Sequence, residues 1–159
     1  MIPWTSKLTQ LERLLVHHEG MRLKPYTDTV GVLTIGIGRN LSQVGISEDE
    51  ALFLMRNDLT KLEDLLEGHF KFFNLLNAVR KMALVSMGFN LGFKGLLSFK
   101  KFLHALAEQD FENAAREMLE SKWARQVGQR AIDLSEMIHT GEMPEDLEAV
   151  LKKAIPELP

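Results

Sequence analysis

The sequence contains no cysteine among its 159 residues, which excludes disulfides, thiolate catalysis and zinc sites built on cysteine. The fold must therefore be stable without covalent cross-links, as in proteins that fold in a reducing cytoplasm. No apolar run reaches the roughly 18 residues of a membrane-spanning helix, so we expect no membrane insertion. The first residues also lack the charged start and apolar centre of a signal peptide.

An excess of positive charge is missing as well. The chain has 19 lysines and arginines against 22 acidic residues, a net charge of −3 and a pI near 6.0. Nucleic-acid binders are usually basic, so we expect no nucleic-acid partner. Its 45% hydrophobic and 26% charged residues are typical of a globular protein, and its length is enough for one domain.

Apolar periodicity predicts an N-terminal helix that begins after Thr5 or Ser6 and covers roughly Lys7–His18. Gly20 would end this helix. The predicted buried face of the helix consists of Leu8, Leu11, Leu14, Leu15 and His18.

A β-favouring segment follows, from Leu23 to Leu41, and predicts two or three short strands with a turn at Asp28–Gly31. Ser47, with Glu50 three residues later, predicts a capping box at the start of a second helix. This helix would run to Gly68. At about 20 residues it would span about 30 Å, enough to join two lobes. Its predicted apolar stripe contains Leu52, Met55, Leu59, Leu62, Leu65 and Leu66.

The most apolar segment, Leu75–Leu91, predicts a central helix that is buried nearly all round. Four amphipathic helices are predicted after it, at about Phe99–Glu108, Phe111–Ser121, Gly128–His139 and Glu145–Ala154. The eight methionines of the chain are expected to fill its core.

The residues best suited to chemistry lie in E-G-M-R-L-K-P-Y-T-D-T-V-G-V-L-T-I-G-I-G, from Glu19 to Gly38. Glycoside hydrolysis needs a proton donor and a second carboxylate, and Glu19 and Asp28 can supply them. A helix end disfavours the charged form of Glu19, whereas a polar turn suits an ionised Asp28. The alternative is that the two acids simply pair with Arg22 and Lys24.

The pattern E-G-x-R-L-x-x-Y-x-D-T-x-G-x-x-T-I-G-x-G resembles the phage-type lysozymes, or endolysins, related to that of bacteriophage T4. The segments L-N-A-V-R-K-M-A-L and S-K-W-A-R-Q-V-G-Q-R-A, and the F-x-x-G of Phe89, are similar to the helical lobe of those enzymes. The resemblance covers roughly Leu11 to Gly141. The tail after Glu142 has no part in it and is assigned no function.

The resemblance implies that Glu19 is the catalytic acid, that Asp28 is the second carboxylate and that Thr34 positions a water. The implied substrate-binding residues are Gly36, Gly38, Phe89, Asn90 and Arg130. The two glycines would let a sugar chain approach the backbone, the alternative for them being a bulge or bend. For Phe89 a role in the core remains open, and for Arg130 a solvated position, although the resemblance implies that Arg130 faces Glu19 across a cleft.

The fold that the resemblance implies is α+β and mostly helical, in one lysozyme-like domain over residues 1–159. It has a small lobe with a sheet at about 20–46, a connecting helix at about 47–67 and a helical lobe at about 70–159. The N-terminal helix belongs to the helical lobe. Arg39 stands where some relatives carry histidine, so a contact between sheet and connecting helix is expected to differ.

The implied activity is hydrolysis of the β-1,4 bond between N-acetylmuramic acid and N-acetylglucosamine in peptidoglycan. We expect a monomer that waits in the host cytoplasm for a holin-made opening. No cofactor or metal is expected, because neighbours such as His17 and His18 point about 100° apart on a helix and H-E-x-x-H is absent. Two alternatives are a peptidoglycan-binding module without hydrolysis and a lytic transglycosylase.

Overall fold

The computed structural model describes residues 7–153, a mostly helical chain with one three-stranded sheet near its start. The helices of this range are α1 Gln10–Glu19, α2 Glu48–His69, α3 Ala78–Leu91, α4 Phe93–Leu97, α5 Lys100–Ala107, α6 Phe111–Leu119, α7 Lys122–Val127, α8 Gln129–Thr140 and α9 Glu145–Lys152. The strands are β1 Arg22–Thr27, β2 Leu33–Gly36 and β3 Arg39–Asn40, and a short 3-10 helix covers Phe73–Leu75. None of these helices is long and apolar enough to cross a membrane.

The chain forms two compact units, the first ending at Leu54 and the second beginning at Met55. The first unit contains α1, the sheet and the start of α2, and the second contains the rest of α2 and the later helices. The α+β, mostly helical class predicted from the sequence is confirmed. The predicted boundaries of the lobes, and the grouping of the N-terminal helix with the helical lobe, stay predictions.

The start of α1 corrects the sequence prediction. Thr9 caps this helix in a capping box, its hydroxyl accepting from the backbone N–H of Glu12 (3.2 Å) and its own N–H donating to the Glu12 carboxylate (2.6 Å). The helix therefore begins at Gln10 and not at Lys7, while the predicted caps Thr5 and Ser6 lie outside the described residues. Gly20 ends the helix as predicted, with φ +74° and its N–H donating to Val16 O (2.9 Å).

The predicted buried face of α1 is wrong. Leu11, Leu14 and Leu15 are 64%, 49% and 45% exposed, and α1 has no buried residue. The periodicity correctly places these leucines on one side of the helix, but no side chain of residues 7–54 buries that side. The predicted stripe of α2 is only partly buried, since Leu62 and Leu66 are buried whereas Leu52, Met55 and Leu65 are exposed.

The sheet is antiparallel in the order β1-β2-β3, with Tyr26 opposite Thr34 and Arg22 opposite Gly36. The unequal spacing of these pairs places a bulge between Arg22 and Tyr26 of β1. The predicted turn is confirmed, since the Asp28 N–H donates to Val32 O (2.9 Å) and the Gly31 N–H donates to Asp28 O (3.1 Å). The turn therefore fixes the backbone of Asp28 between two strands.

The predicted capping box at the start of α2 is confirmed. The Glu50 N–H donates to the Ser47 hydroxyl (3.2 Å), and the Ser47 N–H donates to the Glu50 carboxylate (2.8 Å). The Arg39 guanidinium pairs with the other oxygen of Glu50 at 2.6 Å, which ties β3 to α2. The Ser47 N–H, with a smaller contribution from Arg39, holds the pKa of Glu50 below its ordinary value of 4.5.

The hydrophobic core of the described chain lies in the second unit, around α3. Leu84 and Met87 of α3 are fully buried, as are Leu66 of α2 and Phe102 of α5. The central position of the predicted helix is thus confirmed, but the helix starts at Ala78 and is not buried all round, since Met82 and Phe89 are 47% and 46% exposed. The side chain of Asn77 caps it, and the chain just before it folds as the 3-10 helix.

The later helices follow the prediction within a few residues, with two additions. The short helices α4 and α7 were not predicted, and α7 fills the gap between the helices predicted at Phe111–Ser121 and Gly128–His139. Ser121 separates α6 from α7 because its hydroxyl caps α7 by accepting from the Ala124 N–H (3.1 Å). The last predicted helix ends at Lys152, and Ala154 lies outside the described residues.

The end of α8 is held by side chains from the start of α3. Arg80 donates through Nε to Ile138 O (2.8 Å) and through Nη2 to His139 O (2.9 Å). Asn77 donates to Gly141 O (2.9 Å). A Cβ on Gly141 would fall 2.7 Å from Arg80 Nη1, so only glycine leaves room for this arrangement.

Candidate active site

Glu19, the predicted acid, is the last residue of α1, and its side chain is exposed. Its carboxyl group lies against Gly38, in the tight turn between β2 and β3. An added Cβ on Gly38 would stand 2.9 Å from Glu19 Oε2 and 3.3 Å from Glu19 Cδ. The structure thus brings the end of α1 and this turn together at one carboxyl group.

Asp28, the predicted second carboxylate, holds the turn between β1 and β2. Its Oδ1 accepts hydrogen bonds from the backbone N–H groups of Val30 (2.9 Å) and Val32 (2.8 Å). Within residues 7–54 as described, no protein group donates to Oδ2. One oxygen therefore orients the carboxylate, and the other is left to face a water or a substrate.

The alternative of simple ion pairs is contradicted. Among residues 7–54 as described the ion pair is that of Arg39 with Glu50, so neither Glu19 nor Asp28 pairs with a cation of its own unit there. The Arg22 guanidinium instead lies 4.3 Å from the centre of the Tyr26 ring. Among the described residues of the first unit, no neighbouring cation neutralises either acid.

Thr34 lies in β2, opposite Tyr26 of β1 and Asn40 of β3. It is 4% exposed, the one buried side chain among residues 7–54 as described. Its hydroxyl donates to Val32 O at 3.0 Å, and the oxygen can still accept a hydrogen bond. The predicted role of Thr34 in positioning a water stays a prediction.

The two predicted glycines of this region differ in their surroundings. Both have positive φ, +68° for Gly36 and +69° for Gly38, where residues with a Cβ are strained. A Cβ on Gly36 would meet nothing within 4 Å, so the backbone there is open to approach. At Gly38 the same space is occupied by Glu19.

In the second unit, Phe89 and Arg130 line one open groove of about 600 Å³. Met55, Leu59 and Val85 contribute to its apolar surface, and charged groups also line it. Phe89 is 46% exposed, so a role in the core is excluded. The predicted approach of Arg130 to Glu19 concerns residues of different units and stays a prediction.

Asn90 is oriented by a contact that the sequence did not indicate. The buried Trp123 donates its indole N–H to Asn90 Oδ1 at 2.8 Å, and Phe99 packs edge-on against the indole ring. Because an indole can only donate, this bond fixes the amide with its oxygen inward. The exposed Asn90 therefore presents N–H donors outward. The two residues are 33 positions apart, and no local pattern links them.

The sequence model of the phage lysozyme family matches residues 16–136, which include α1 from its middle, the sheet and the helices through most of α8. The chain belongs to the phage lysozyme family, and its enzyme class is that of the lysozymes, which are glycoside hydrolases. The predicted resemblance and the lysozyme-like fold are confirmed.

Among curated proteins, the chain is similar to two from Dictyostelium discoideum. It is 29% identical to probable T4-type lysozyme 1, over 86% of this chain and 97% of that protein. It is 27% identical to probable T4-type lysozyme 2, over 87% and 98%. It is also 30% identical to the pre-baseplate central spike protein Gp5 of Enterobacteria phage T4, over 84% of this chain but only 28% of that longer protein.

Proposed function

We propose that this lysozyme hydrolyses the β-1,4 bond between N-acetylmuramic acid and N-acetylglucosamine of peptidoglycan, with Glu19 as general acid. The family supports the substrate class. The observation that carries the residue assignment is the exposed carboxyl of Glu19, seated on Gly38 in the unit that also holds Asp28 and Thr34. A part in phage-driven lysis, storage in the host cytoplasm and a monomeric state belong to the same proposal, and their support is the sequence alone.

Glu19 has the position that a proton donor needs. It is exposed at a helix end, has no ion pair among residues 7–54 as described, and its carboxyl lies against the turn at Gly38. In the proposed reaction it gives its proton to the glycosidic oxygen as the bond to the anomeric carbon breaks. Positive charge then develops on the sugar ring, as in an oxocarbenium ion.

Asp28 and Thr34 would act on the water. Asp28 Oδ1 is occupied by the turn, so Oδ2 would take the proton of the attacking water. The Thr34 hydroxyl donates to Val32 O, so it would receive a hydrogen bond from the same water through its free lone pair. The hydroxide equivalent would then add to the anomeric carbon, which completes hydrolysis without a cofactor.

The proposed substrate contacts are of three chemical kinds. The open backbone at Gly36 allows a sugar ring to come close, and the exposed ring of Phe89 offers an apolar face. Asn90 offers amide N–H donors, oriented by Trp123. Arg130 offers a planar guanidinium suited to the carboxylates of peptidoglycan.

The experiment that tests this assignment replaces Glu19 with glutamine, which keeps the shape of the side chain and removes the proton donor. We expect lysis of chloroform-treated Gram-negative cells to fall about 10²–10⁴-fold, the typical contribution of general acid catalysis. Glu12→Gln is the matched control on the same helix, since glutamine can also accept from the Thr9 N–H. It should stay within a factor of a few of the unchanged protein.

Lysis by Glu19→Gln at nearly the rate of the unchanged protein would contradict the role of Glu19. A purified protein that binds the wall without releasing fragments would instead indicate a binding module. Mass spectrometry of the released fragments distinguishes hydrolysis from transglycosylation. Reducing muramic ends support the proposed hydrolysis, and anhydro-muramic ends would contradict it.

A further inference from the structure

The Glu19 carboxyl lies so near the turn between β2 and β3 that a Cβ on Gly38 would collide with it. The two distances from a Cβ built on Gly38, 2.9 Å to Oε2 and 3.3 Å to Cδ, are both shorter than ordinary contacts between such atoms. Glu19 Cγ is 3.5 Å from the same point. The end of the side chain therefore lies directly over the face of Gly38 that a Cβ would occupy in any other residue.

We propose that Gly38 is a positioning residue for the Glu19 carboxyl, and that its missing Cβ, rather than contact with a sugar, is its contribution to the reaction. This inference rests on the proposed role of Glu19. The glycine lets the carboxyl settle on the backbone of the turn, and the turn thereby sets the height of the proton donor above the sheet.

A Cβ at this position would strain the backbone, as at any glycine of positive φ, but its contact with Glu19 would affect catalysis more than folding. Glu19 is exposed and its carboxyl ends a flexible side chain, so it can move aside by a few tenths of an ångström at little cost. A proton donor displaced from the leaving oxygen is much less effective, because a misplacement of about 1 Å can cost about 10²-fold in rate. The displacement expected here is smaller, a few tenths of an ångström, and so is the expected loss of rate.

The test is Gly38→Ala, assayed on soluble, uncross-linked peptidoglycan so that kcat and KM are separated. We expect kcat to fall about tenfold and KM to stay unchanged, because the substitution moves the acid and touches no sugar. A crystal structure of the variant should show the Glu19 carboxyl displaced from the turn. An unchanged kcat, or a carboxyl in its original place, would overturn the inference.

Gly45→Ala is the control for backbone strain. Gly45 is also in the first unit and has φ +64°, close to the +69° of Gly38, but a Cβ there would meet only Leu41 O at 4.0 Å. The two alanine variants should lose similar amounts of Tm, and only Gly38→Ala should lose kcat. If Gly45→Ala lost as much kcat, strain in the backbone would explain both, and the inference would be wrong.

The double variant Gly38→Ala with Glu19→Gln separates positioning from sugar contact. Once the acid is gone, the alanine should leave the residual rate and the binding of a peptidoglycan fragment unchanged. Weaker binding in the double variant than in Glu19→Gln would mean that Gly38 meets the sugar, against our inference. Full activity of Glu19→Gln alone would contradict the proposed function. The displacement of the Glu19 carboxyl in crystals of Gly38→Ala is a separate measurement, so failure of the proposed function and failure of this inference can be told apart.

Discussion

Each of the two units of the chain is stabilised internally by a different kind of interaction. The second unit has a continuous core that includes Leu66, Leu84, Met87 and Phe102, all almost fully shielded from water. Among residues 7–54 as described, the only buried side chain is that of Thr34. Hydrophobic burial therefore specifies the second unit. The first unit depends on polar contacts and backbone conformation.

The distribution of glycines shows the same contrast. Of the eight glycines with positive φ in the described chain, five are in the first unit: Gly20, Gly31, Gly36, Gly38 and Gly45. Capping boxes and the Asp28 turn complete the framework there. The comparison teaches that the proposed acid and base lie in the part of the chain with the least buried surface, where backbone geometry has to hold them.

The largest effect expected from this comparison is loss of activity in Asp28→Asn. Asparagine keeps an acceptor for Val30 and Val32 but cannot take a proton from water, so lysis should fall about 10²–10⁴-fold with Tm nearly unchanged. Asp28→Ala removes the turn acceptor as well and should lower both activity and Tm. An Asp28→Asn variant that keeps its activity and loses Tm would assign Asp28 to the turn alone.

The next effect compares the units directly through stability. Leu84→Ala in the core should cost about 2–5 kcal/mol in the free energy of unfolding, because Leu84 is 0% exposed. Leu15→Ala on α1, where the leucine is 45% exposed, should change it by no more than about 0.5 kcal/mol. Urea denaturation measures both. Equal losses would mean that the apolar side of α1 is covered in solution, and the contrast between the units would disappear.

The smallest expected effect is a pH dependence of the stability that Glu50 contributes to the first unit. The pKa of Glu50 is lowered in the folded protein, so its stabilisation is fully present above its ordinary value of 4.5. It is lost as the pH falls through the lower pKa of the folded state. Glu50→Gln should therefore have a lower Tm than the unchanged protein at pH 7, and the difference should narrow as the pH falls below 4.5. A constant difference would exclude the charge of Glu50 as its source.

Much of this fold was predictable because residues close together in the sequence specify its caps and turns. Ser47 and Glu50 stand at the spacing of a capping box, and the turn at Asp28–Gly31 contains residues that favour turns. The capping box of Thr9 and Glu12 has the same spacing and could have been found in the sequence, which would have corrected the start of α1.

What could not be predicted depends on contacts between distant parts of the chain. The periodicity of α1 shows which side is apolar but not whether anything covers Leu11 or Leu15. Nothing near Asn90 indicates that Trp123 orients its amide. The motif that contains Glu19 and Gly38 suggests that both belong to one site. Only the folded backbone shows that the Glu19 carboxyl occupies the space where a Cβ of Gly38 would lie.

The contacts of Arg80 with the end of α8 also bear on how the second unit opens. Helices normally fray from their ends, because the last carbonyl groups have no partner within the helix. In α8 the carbonyls of Ile138 and His139 accept from Arg80, and that of Gly141 just beyond accepts from Asn77. The end of α8 can fray only when these side chains, at the start of α3, release their hydrogen bonds. Local opening at the two sites is therefore coupled, although they are about 60 residues apart in the chain.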